Sequence, residues 1–302
     1  MTPDRREFDF YAAQSTVTDP GSMAHLFADL PPDIPALRRI ASGLVTHYRG
    51  DDLEALGIPE ERVQEINTRN VEPMLRRIIE LDDRPLAAQR PKQRRLVGCC
   101  RDFTVLFVSM LRHQGIPARS RVGFAGCFFK DWLLDHEVAE VWDAQEQRWR
   151  LIDPQMPDTF VDPTDGVTVD AMDVPRDRFQ VGGEAWARCR AQDADPERYV
   201  VDPWLDIPVT RGWLQLRHNL VQDLAALNMR EMILWDTWGI LDDNPIPADQ
   251  AVMLDRMAAV TRQDNPSPAE IAALYRETPE AAVPGVVTNY NPAAGPPTEV
   301  SV

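Results

Sequence analysis

Val97-Gly-Cys-Cys-Arg-Asp-Phe-Thr-Val-Leu-Phe107 sets two adjacent cysteines where a loop runs into an apolar stretch. The stretch continues to Leu111, too long for an ordinary strand, and Gly115 and Pro117 supply the stop expected beyond a helix C-terminus. A buried helix over 101–114 is predicted. A cysteine at the start of such a helix has its thiolate stabilised by the macrodipole and by unpaired backbone N–H groups. Arg101 acts in the same direction, and Gly98 permits close backbone approach. The cysteine's own N–H also stands where an acyl oxyanion would be received.

Downstream the period changes from helical to alternating. Residues 118–124 and 136–142 alternate, and 149–153 read as a third strand after the polar stretch DAQEQ. A helix followed by antiparallel strands predicts an α+β core. A thiol nucleophile needs a base, and the base needs an orienting group. Facing residues of an antiparallel pair keep a constant number sum. If Trp142 pairs with Gln147 across a four-residue loop, His136 lies directly opposite Asp153. One sheet face then carries a His–Asp pair that a helix-borne cysteine can approach.

The order G-x-C-R-D-F…L-R-x-x-G-I-P-A-R…G-F, then D-H-x-x-x-E-V-W, then W-R-L-I-D-P, spanning Gly98 to Pro154, resembles the core of the transglutaminase-like superfamily of papain-like cysteine enzymes. More loosely, residues 15–240 resemble stand-alone bacterial transglutaminase-like proteins. The resemblance implies Cys100 as nucleophile, His136 as general base and acid, and Asp153 as the orienting carboxylate. It also implies a cysteine helix packed on an antiparallel sheet with additional helices on both sides, and acyl chemistry that uses no cofactor. Many relatives carry an aromatic residue two positions after the histidine, where this chain has Val138. The oxyanion side chain is not readable. Gln93 is a candidate, and Cys99, Arg101 and Trp132 are further candidates for substrate contact.

Around this core, the spacing of Ile34, Leu37, Ile40 and Leu44 predicts a helix over 34–48, with others over 71–81 and 213–235. Ser267-Pro-Ala-Glu270 has the form of a capping box. Residues 155–180 read as loop. The expected organisation is an N-terminal helical part (1–95), the catalytic core (96–160), a mainly helical extension (161–277) and a Pro/Gly-rich, disordered tail (278–302).

The 302 residues carry a formal charge of −16, which disfavours nucleic acid and anionic membrane as partners. Four unevenly spaced cysteines form no disulfide framework, and neither a signal peptide nor a membrane span is visible, so a cytoplasmic protein is expected. Nine basic residues against one acid between Arg84 and Arg121 form an island of +8. They either collar an anionic or carrier-bound substrate or, more simply, pair with the chain's 48 acids.

The bland readings are specific too. Cys99 reads as packing or redox-adjacent and Cys127 as passive, and Cys99, Cys100, Cys127 and His136 are poorly spaced for zinc. His25, His47, His113 and His218 are lone histidines at helix ends or on the surface. Glu140 is an ion-pair partner, and Trp213, Trp235 and Trp238 are core. The expected activity is thiol-dependent acyl transfer from a peptide-like or small amide or thioester substrate. The rivals are an amide synthase fed by a carrier-bound thioester and a catalytically silent binding module. Oligomeric state is left open by the sequence.

Overall fold

In a computed structural model that describes residues 5–293 and 295–302, helix α1 (Arg5–Ala12) is followed by α2 (Ile34–Ser42). Asp33 caps α2 by accepting the Ala36 N–H at 2.9 Å, with Pro35 in the first turn. The helix stops short of the predicted residue 48, and Val45–His47 forms strand β1 instead. The β-branched pair Val45-Thr46 favours extended backbone. Helix α3 (Val71–Leu81) follows, and β1 then pairs in parallel with β2 (Leu96–Gly98), setting His47 level with Gly98.

The apolar run after the cysteine pair is helix α4 (Cys100–His113), and every residue from Cys100 to Arg112 is buried. Cys99 is its N-cap, and its N–H donates to the Asp102 carboxylate at 2.8 Å. A Cβ at position 98 would meet that carboxylate at 2.7 Å and Val45 at 2.8 Å. Glycine there lets β1, β2 and the helix start converge.

Strands β3 (Ala118–Ala125), β4 (Leu133–Asp143) and β5 (Arg148–Ile152) form the antiparallel meander. The short β6 (Phe179–Val181) extends the sheet beyond β3, inside or beside a region read as loop. Strand β7 (Tyr199–Val200) runs parallel to the start of β4, and the main order is β5-β4-β3-β6. Trp142 faces Trp149 rather than Gln147, so the predicted β4–β5 register is corrected by two residues. The four-residue turn is retained but lies at 144–147, where Asp143 accepts the Gln145 and Glu146 N–H groups. An even shift preserves the facing parity. Asp153, just beyond β5, therefore stays on the His136 side but lies diagonal to it rather than opposite.

Helices α5 (Gly182–Arg190), α6 (Gly212–Leu227), α7 (Ala248–Thr261) and α8 (Pro268–Glu277) build the second half. The helix predicted over 213–235 ends at Leu227, and Met229 then takes a positive φ of 62°. Ser267 accepts the Glu270 N–H at 3.1 Å and caps α8. The tail read as disordered instead contributes two strands. Beside β8 (Asp236–Thr237), β9 (Val286–Asn289) pairs with β10 (Thr298–Ser301) in an antiparallel sheet. The β-branched Val286-Val287-Thr288 run is short enough to be masked by its Pro/Gly surroundings, and the Asn289 side chain donates to Asp236 at 2.8 Å.

One apolar cluster joins α2, α3 and α4 to the sheet through Leu37, Leu75, Ile78, Phe107, Ala139 and Val141. Another joins α5–α8 through Trp186, Leu216, Leu220, Leu224, Met257 and Leu274, and also holds Trp238. The architecture is α+β, with α4 packed on β4. No helix among the described residues is long and apolar enough to cross a membrane.

Candidate active site

Cys100, His136 and Asp153 meet where the N-terminus of α4 approaches the sheet. The His136 Nε2 and Asp153 Oδ2 lie 2.8 Å apart. With Nε2 committed to the carboxylate, Nδ1 is the ring nitrogen left for the thiol, and Cys100 lies close enough to raise the imidazole's pKa. Asp153 is fixed on its other side. Its Oδ1 accepts the Gln155 and Met156 N–H groups at 2.8 and 3.0 Å, and its carbonyl accepts Arg38 Nε at 2.8 Å. Buried Arg38 also binds Asp158 and the Met156 carbonyl, clamping the turn that holds the carboxylate. Arg38 carries no sequence signal, because nothing in its helical spacing points towards residue 153.

The three side chains are nearly enclosed, at 5%, 3% and 1% exposure. Enclosure magnifies each electrostatic contact. The neighbouring Cys99 thiol pulls the Cys100 pKa well down; burial opposes this, and His136 reinforces it. Cys99 moves the other way, pushed well up by its interaction with Cys100 and by burial. Burial would lower His136, but Asp153 and Cys100 outweigh it and raise the imidazole to about 10. Burial likewise works against Asp153 ionising, yet His136 and the two backbone N–H groups hold it below its ordinary value. The favoured state is a thiolate–imidazolium pair braced by a carboxylate. Asp135, beside His136 in sequence, is raised to about 7 by burial and by the Cys100 charge.

The other candidates sit differently. Gln93 is exposed in the 3-10 turn Lys92–Arg94, and only its backbone carbonyl is engaged, by Arg62. Arg101 is buried and spent on the carbonyls of Glu231, Met232 and Arg69, so it supports the fold rather than a substrate. Trp132 lines a cavity of about 250 Å³ that none of the three triad residues borders. Cys127 packs beside Val138 and Met156, with its thiol pushed up to about 12 by burial. Phe128 from the same loop stacks edge-on against His136, with centroids 4.9 Å apart.

Most of the basic island is paired with carboxylates. Arg119 and Arg121 bind Glu140, Arg121 also binds Asp223, and Arg112 binds Glu231. Arg84 pairs with Asp82 and Lys92 with Asp51, while Arg90, Arg94 and Arg95 donate to backbone carbonyls. Six of the nine, Arg101 beside Asp102 included, thus have a carboxylate partner, as the simpler reading expects. Among the described residues, no group of three or more His, Cys, Asp or Glu side chains is placed to hold a metal ion.

His47 departs from its reading as a lone helix-end or surface residue. It ends β1, it is half-buried, and it is close enough to Cys100 and His136 to respond to both charges. The wrong helix boundary concealed it; the signal was the β-branched pair before it and the Gly50-Asp51 turn after it.

Residues 62–154 match the family model of the transglutaminase-like superfamily. No curated protein sequence matches the chain. A solved structure of a cysteine protease candidate from Cytophaga hutchinsonii is similar at 15% identity with a TM-score of 0.35. The similarity covers 58% of this chain and 45% of that one, so less than half of that protein's length is represented.

Proposed function

We propose, from the transglutaminase-like core that the chain carries, that it is a cysteine-dependent acyl-transfer enzyme acting on an amide. The observation that carries this reading is the enclosed constellation in which His136 joins Asp153 at 2.8 Å and turns its other edge to Cys100. The thiolate of Cys100 attacks the carbonyl carbon, and the C=O electron pair moves onto oxygen. Collapse of the tetrahedral intermediate expels the amine, which takes its proton from His136, and leaves a thioester on Cys100. His136, now neutral, removes a proton from the acceptor that regenerates the thiol. Water as acceptor gives hydrolysis, and an amine gives transfer. The small exposure of the thiol favours a slender acyl group or an extended peptide segment over a folded protein surface. With most of the basic residues paired with carboxylates, no observation singles out a carrier-bound thioester.

A panel of short peptide anilides and p-nitrophenyl esters, each with and without an added primary amine, tests the proposal. Turnover is expected with at least the activated esters, and the added amine should divert product from acid to amide if transfer is the natural outcome. Failure to turn over any member, in protein whose Cys100 alkylates readily, would leave the silent binding module as the better reading.

A further inference from the structure

The tetrahedral intermediate needs donors for its oxyanion, and this inference rests on the acylation of Cys100 proposed above. One donor is built in: the Cys100 N–H stands at the first helical position, where no intrahelical acceptor exists. The side-chain donor expected upstream is not Gln93, which is exposed in its turn.

The turn after β1 offers another. His47 Nδ1 accepts two backbone N–H groups, from Arg49 at 3.1 Å and Gly50 at 2.8 Å. A ring nitrogen that accepts two hydrogen bonds carries no proton, so the proton of the neutral ring resides on Nε2. The turn is itself pinned. The His47 N–H donates to Asp51 Oδ2 at 2.9 Å, Asp51 N–H returns to the His47 carbonyl at 3.0 Å, and Lys92 binds Asp51. Arg49 is held by Asp202 at 2.8 Å, and the Tyr48 N–H binds the Gly98 carbonyl at 2.9 Å. These bonds fix the ring level with Gly98, two residues before the nucleophile. Burial, with the His136 charge against it as well, keeps the ring neutral despite the pull of Cys100.

We propose that His47 is the oxyanion donor of this site, its Nε2–H and the Cys100 N–H together receiving the carbonyl oxygen as the S–C bond forms. The charge on that oxygen exists only in the intermediate and its flanking transition states, so a donor fixed in advance accelerates acylation without being needed for thiol ionisation.

That distinction supplies the test. Iodoacetamide alkylates the thiolate with loss of iodide and forms no oxyanion, whereas p-nitrophenyl acetate must pass through one. In His47→Ala, the p-nitrophenolate burst should slow by about 10²–10³-fold while Cys100 alkylation stays within about threefold of wild type. His47→Gln, which restores a side-chain N–H, should recover part of the burst rate. Equal slowing of both reactions in His47→Ala would overturn the assignment, because His47 would then act on the thiol or on the fold. So would an unchanged burst, or a loss that appears in Tyr48→Phe instead. A wild-type protein that alkylates but never gives a burst overturns the acyl-transfer reading itself; an unchanged burst in His47→Ala overturns the role of His47 alone.

Discussion

Replacing His136 by alanine is expected to slow acylation of Cys100 by about 10⁴-fold at neutral pH. Two losses combine. The imidazolium no longer holds the thiolate, so the thiol, already disfavoured from ionising by burial, climbs from well below its ordinary value towards it. A thiol titrating near 8.5 is only about 3% ionised at pH 7. The leaving amine also loses its proton donor, which alkylation does not require. Iodoacetamide reactivity should therefore fall much less than acylation and should recover on raising the pH, while acylation should not. In the wild type the acid limb of both reactions lies well below the ordinary thiol value. Acylation alone should fall above about 10, where His136 gives up its proton. Parallel loss of both reactions, fully restored by alkali, would reduce His136 to a thiol-ionising role.

The second large effect concerns stability. Glu140 is fully buried and accepts Arg119 Nε at 2.7 Å, Arg121 Nη1 at 2.9 Å and Arg176 Nη2 at 2.7 Å. Arg121 in turn makes two 2.9 Å bonds to Asp223 on α6 and one of 2.7 Å to the Thr261 carbonyl on α7. The network joins the central strands to the helices of the second half. Replacing Glu140 with glutamine leaves buried Arg119 without its carboxylate and Arg121 with Asp223 alone, which should cost about 3–5 kcal/mol in chemical denaturation. Burial opposes ionisation of Glu140, yet the three arginines hold it well below the usual carboxylate range. Because the folded pKa is depressed, the contribution is complete above the usual carboxylate value and is lost as pH falls towards the folded one. The difference between wild type and Glu140→Gln should therefore narrow in acid. A loss below about 1 kcal/mol at neutral pH would show that the network adds little net stability.

Local periodicity made the fold class, α4 and the three-stranded meander legible. Helix α4 is built round an apolar run from Phe103 to Leu111 broken only by Thr104 and Ser109, and the sequence alternates over 118–124 and 136–142. Register was only half legible. A turn constrains loop length and hence parity, but the choice between facing Gln147 and facing Trp149 depends on the Asp143 side chain and the aromatic pair Trp142–Trp149, whose centroids lie 5.7 Å apart. Parity sufficed to keep His136 and Asp153 on one side. Lost altogether were features made by contacts distant in sequence. Arg38 reaches a carbonyl 115 positions away, and β9 needs β8 as its partner. His47 gains meaning only when β1 pairs with the strand that leads into the nucleophile. The basic island stayed open for a related reason, since clustering in sequence says nothing about acids arriving from α6 or from the loop before β8.

Intact-protein mass spectrometry of a brief reaction with an activated ester or thioester, quenched in acid, tests the central claim most directly. One acyl adduct on Cys100 is expected, labile to hydroxylamine, absent from Cys100→Ala and retained in Cys99→Ala at reduced rate. An adduct that persists in Cys100→Ala, or that maps to Cys99 in the wild type, would contradict it.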